Sequence, residues 1–144
     1  MRGSMAIATV LAAALIPSPQ AWAGLWSKTY NFKTGVTLEV GAETDSGLRL
    51  DSVRFEMPQN AEMRTAREAT VEVTISNSSE SAQRIGLALA LFDANGRLVG
   101  VADGGTSLVP LRSGRLKIYR LGFKNVNTEA PQAATFQISV ETNP

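Results

Sequence analysis

Polar and apolar residues alternate along most of this chain, and the clearest stretch runs from Glu68 to Gly114. In Ala69–Asn77, Val71, Val73 and Ile75 fall on one side while Glu72, Thr74 and Ser76 fall on the other. That spacing predicts a half-buried strand. After the polar run Asn77–Ser81, a second period-two row follows at Ile85, Leu87, Leu89 and Leu91, interleaved with Gly86, Ala88 and Ala90. The small residues predict a face lying close beneath another layer. Asp93-Ala94-Asn95-Gly96 has turn chemistry: the aspartate can accept bonds from the backbone that follows it, and Asn-Gly tolerates positive φ. A hairpin into Leu98–Val101 should result. Pro110 and Gly114 then break the pairing before an apolar strand restarts at Leu116.

The same reading extends to both sides. Tyr30 and Phe32 alternate like a strand, as do Val36, Leu38 and Val40. In Leu48–Met57 the phase changes, with Leu48 and Leu50 on one parity and Val53, Phe55 and Met57 on the other, so a β-bulge is predicted near Asp51-Ser52. A second phase change, from Leu116 and Ile118 to Tyr119, Leu121 and Phe123, predicts another bulge near Ile118-Tyr119. The last strand is predicted over Ala134–Thr142. Residues 58–67 show no periodicity and stay open between loop and helical turn. Roughly eight strands at this spacing predict an all-β, antiparallel sandwich of about seven to eight strands. Its core is expected at Leu87, Leu89, Leu91, Val71, Val73, Ile75, Phe136, Ile138 and Val140.

The run "VEVTISNSSESAQRIGLALALFDANGRLVGVA", followed by "SLVPLRSG", resembles the bacterial FxLYD-type domain over roughly residues 68–124. Leu89-Ala90-Leu91-Phe92-Asp93 stands at the naming motif, with Leu89 in place of its aromatic and Phe92 in place of its tyrosine. The resemblance implies an immunoglobulin-like sandwich and an exported protein, and it brings no catalytic motif.

The beginning of the chain changes the picture of where the protein works. Arg2 precedes the short apolar run Met5–Ile16, and Pro17-Ser18-Pro19 leads to Ala21-Trp22-Ala23. These are the three regions of a secretory signal with a small-x-small site after Ala23. Residues 1–23 are therefore expected to be a signal peptide and residues 24–144 a single domain, exported to the periplasm or outside the cell. The apolar run is short for a membrane span, so no transmembrane segment is expected after cleavage. Met1-Arg2-Gly3-Ser4 also resembles a vector leader.

Of 14 basic residues, only Arg2 precedes Gly24, so 13 remain against 13 acids. A net charge near zero gives no global attraction for nucleic acid, and none is expected as a partner. The chain contains neither histidine nor cysteine. Triad catalysis, common zinc sites and thiol chemistry are thereby removed, and neither an enzyme nor a cofactor is expected. The candidate carboxylates for paired-acid chemistry, Glu43, Asp45, Asp51, Glu56, Glu68 and Glu72, are scattered instead of paired across a cleft. Glu43-Thr44-Asp45 and Asp93–Gly96 group oxygens that could suit calcium, with turn chemistry the plainer reading of the second. Asn77-Ser78-Ser79 matches a glycosylation acceptor and reads more simply as a polar turn.

What remains is binding. The expected function is a non-catalytic module acting through protein–protein contacts, its partner another envelope or extracellular protein. An anionic or glycan polymer is the second partner class. The candidate residues are Arg115, Lys117, Arg120 and Lys124, in a run from Arg112 to Lys124 that holds five cations and no acid. The bulge predicted near Ile118-Tyr119 would gather these four on one outer face. The alternative is a carbohydrate-binding accessory module that stacks sugars on Trp26 and Tyr30.

Overall fold

The computed structural model describes residues 24–57, 69–106, 108–123 and 133–143. The proposed signal segment 1–23, the undecided segment 58–67 and Lys124 lie outside the described residues. Eight strands are formed: β1 (Gly24–Asn31), β2 (Thr37–Glu43), β3 (Leu48–Glu56), β4 (Thr70–Asn77), β5 (Arg84–Asp93), β6 (Leu98–Gly105), β7 (Leu116–Gly122) and β8 (Ala133–Asn143). They build two four-stranded sheets, ordered β1-β8-β5-β6 and β2-β3-β4-β7. Every neighbouring pair is antiparallel. No helix occurs among the described residues, and so none is long and apolar enough to cross a membrane.

The alternation seen in sequence is what the two sheets bury between them. β4 inserts Val71, Val73 and Ile75, β5 inserts Leu87, Leu89 and Leu91, and β8 inserts Phe136, Ile138 and Val140, all nearly inaccessible to solvent. These residues belong to one apolar cluster shared by both sheets, giving a sandwich-like architecture. Toward one end the sheets are pinned by rings. Phe55 of β3 meets Phe136 of β8 edge-on at 4.8 Å, and lies 4.9 Å from Phe32 and 6.2 Å from Phe123.

Two local devices set the registers. On β3, Leu50 pairs with Ile75 and Ser52 with Thr74, so Asp51 is the extra residue of a bulge. Leu48, Leu50, Val53 and Phe55 therefore all face the core, as the phase change predicts. The β5–β6 hairpin turns on Asp93–Gly96. Asp93 bonds Gly96 N–H through its carbonyl and donates to Arg97 O, and Gly96 takes a φ of 76°. Its carboxylate accepts from Asn95 N–H, Arg97 N–H and the Arg97 guanidinium, at 2.8–2.9 Å. This is a three-residue loop with glycine at the left-handed position, and the aspartate's oxygens serve the turn itself.

Three expectations are corrected. β7 pairs with β4 in unbroken register from Ser76↔Leu116 to Thr70↔Gly122, so there is no bulge at Ile118-Tyr119. Leu116 and Ile118 consequently stay on the outer face, 59% and 58% exposed, while Tyr119 and Leu121 are buried. An edge strand at the rim of a sandwich can leave apolar side chains outward without unpairing its ladder. Gly86, Ala88 and Ala90 line the outer face of β5, and no layer covers them among the described residues. Val36 precedes β2 and is exposed, so only Leu38 and Val40 of that trio pack against the core.

Candidate partner-docking surface

The segment that joins β6 to β7 carries the groove of interest, and a buried asparagine holds it. Asn77, 1% exposed, closes β4. Its side-chain N–H groups donate to Leu111 O and Ser81 O, each at 2.8 Å. Its side-chain oxygen accepts from Ser79 N–H and the Ser79 hydroxyl. With its amide fully bonded and its surface covered, Asn77 works as a polar turn residue. Leu111 is buried and exchanges both backbone bonds with Gln83, at 2.8 and 2.9 Å. The loop is thus tied at its middle to both sheets.

From that anchor the chain makes a tight turn. Arg115 N–H donates to Arg112 O at 3.2 Å, and Gly114 N–H donates to Asn77 O at 2.7 Å with a φ of 68°. As first and fourth residues of the turn, Arg112 and Arg115 have Cα atoms within about 7 Å. Lys117 follows two residues later, on the parity of Arg115. These three exposed cations and the apolar Val109, Pro110 and Leu116 border an open groove of about 520 Å³ that no acid lines. Among the described residues, Arg112, Arg115 and Lys117 form no ion pair; Lys117 instead lies over the Tyr119 ring, 5.1 Å from its centre.

Arg120 belongs elsewhere. It sits on the outer face of β7 opposite Glu72, whose carboxylate its guanidinium grips through two nitrogens. That bond, the charge of Glu72 and more weakly that of Glu56 hold the Arg120 pKa above its ordinary value. Arg49 meets Asp51 and Arg54 meets Glu56 on the same sheet. The four-residue stripe expected on one outer face therefore does not form. Arg115 and Lys117 come together, Arg112 joins them, Arg120 is tied to an acid, and Lys124 lies outside the described residues. The acid-free run was the legible signal for Arg112; the turn that brings it beside Arg115 was not.

Trp26 and Tyr30 lie on the inward row of β1, both packed against the core. Tyr30 stacks on Phe136 at 5.5 Å between centroids, and burial raises its phenol pKa. The ammonium of Lys28, between the two aromatics on the same row, lies 5.4 Å from the Tyr30 centroid. The two rings thus do not form an outward platform. Among the described residues no three acids converge as a metal-binding set. No family model matches the chain, and no curated protein matches it.

Proposed function

We propose that this chain is an exported, non-catalytic binding module of immunoglobulin-like, FxLYD-type architecture that docks an acidic partner protein of the cell envelope. The docking surface is the groove bordered by Arg112, Arg115, Lys117, Val109 and Leu116. One observation carries this reading: among the described residues three neighbouring cations carry no ion pair in a groove that no acid lines, whereas Arg49, Arg54 and Arg120 each meet a carboxylate. Like charges held together repel, and an acidic counter-surface offsets that repulsion. The apolar Leu116 and Val109 favour a protein partner over a polysaccharide, because a protein can cover them. Export is supported by the signal-like pattern of residues 1–23, with its apolar run Met5–Ile16 and the small residues Ala21 and Ala23.

Retention of the full chain on immobilised poly-glutamate, eluted with rising salt, tests the reading. The account expects retention that weakens steeply with ionic strength and is lost in the folded Arg112→Glu/Arg115→Glu/Lys117→Glu variant. Retention on heparin but not on poly-glutamate assigns the groove to anionic glycan and overturns the protein reading. Equal retention of wild type and variant removes the groove from consideration.

A further inference from the structure

The groove runs beside a strand edge that has no partner strand among the described residues. Among the described residues β7 has β4 on one side, while on the other it meets β6 near its end, where the Ala102↔Phe123 bridge lies. Asn77 N–H donates to Arg115 O, and Phe123 N–H donates to Ala69 O at 3.2 Å. Because bonding direction alternates along an antiparallel pair, the odd-numbered residues Lys117, Tyr119 and Leu121 direct their backbone groups to β4. The backbone N–H and C=O of Leu116, Ile118 and Arg120 then point away from the sheet. None of these has a partner among the described residues. Open grooves lie at the start and near the end of that edge, the one of about 520 Å³ at its start and one of about 510 Å³ between β6 and β7 near its end.

We infer that the free edge of β7 accepts an extended segment of the partner as an added antiparallel strand, and that the segment alternates acidic with apolar residues. This rests on the acidic-partner reading above and specifies its mode. Residues of one parity in the added strand lie beside Leu116 and Ile118, which are outward and exposed, and suit apolar side chains. Residues of the other parity lie beside Arg115 and Lys117 and suit carboxylates. Charge also rejects a second copy of this chain. Pairing two β7 edges about Leu116 or Lys117, beside the groove, brings these cations of one copy against those of the other, with no acid in the run from Arg112 to Phe123. Lys117 has a further part in this. It is a charged residue on the inward row of an edge strand, a feature that discourages unselective edge pairing.

The test titrates the full chain with a short capped peptide alternating glutamate and valine, and follows amide exchange residue by residue. Before peptide, the Leu116, Ile118 and Arg120 amides exchange fast while Lys117 and Tyr119 exchange slowly. With peptide, those three become protected. N-methylation of the alternate peptide residues whose N–H groups face β7, which keeps charge and removes the bonds they donate, weakens binding by about tenfold or more. Lys117→Glu shifts preference to a lysine–valine peptide. If the N-methylated peptide binds equally well, strand addition is overturned while the acidic-partner reading stands. If neither this peptide nor poly-glutamate binds at low salt, both fall. Protection of the three amides without peptide means that this chain or a second copy already fills the edge, and likewise overturns the inference.

Discussion

Asp93 shows how one residue can fix a hairpin. The Arg97 guanidinium, then the backbone N–H of Arg97 and of Asn95, favour its charged form and hold its pKa below the ordinary 3.8, against an opposing effect of burial. A carboxyl whose folded pKa is depressed contributes stability above the unfolded value and loses it as pH falls through the folded value. Stability should therefore drop as pH falls below about 4, and Asp93→Asn should lose this part of the acid limb. Urea midpoints across pH check it; wild-type and variant curves that stay parallel to acid pH contradict it. At this scale the sequence was informative where chemistry is local, as in Asp93-Ala94-Asn95-Gly96. The clamp that Asn77 places on Leu111 spans 34 residues and had no local signature.

Among the elements, the period-two rows were legible because each buries one face, and a one-residue slip would expose the whole row. Leu89→Ala should cost about 2–5 kcal/mol in chemical unfolding, whereas Ile118→Ala, on the outward row of β7, should change stability by less than about 0.5 kcal/mol. A large loss at Ile118 would restore the bulge that parity alone predicts. The two phase changes differ for a physical reason. At β3, a central strand, every apolar side chain finds the core once Asp51 is extruded. At β7, an edge strand, the ladder to β4 stays whole and Leu116 and Ile118 remain outside. The turn that shapes the groove depends on Gly114, where an added Cβ meets nothing but the φ is left-handed. Gly114→Ala should therefore cost about 1–2 kcal/mol through backbone strain alone, and Gly114→Asn less, by the same unfolding measurement. Equal, negligible losses would mean the turn is not left-handed.

For the whole molecule, all-β architecture was legible from strand count and turn spacing, but strand order was not, since β8 inserts between β1 and β5 across most of the chain length. The candidate surface was legible only as charge. The acid-free run could be read, while its division between an unpaired groove and an Arg120–Glu72 pair required the β4–β7 register. The central claim is therefore one of location: the acidic partner meets residues 109–117. Backbone amide NMR of the full chain titrated with poly-glutamate at low salt tests it most directly. The account predicts shift changes concentrated at residues 109–117, reversed by added salt. Changes centred on Trp26 and Tyr30, or spread evenly over both sheets, would contradict it.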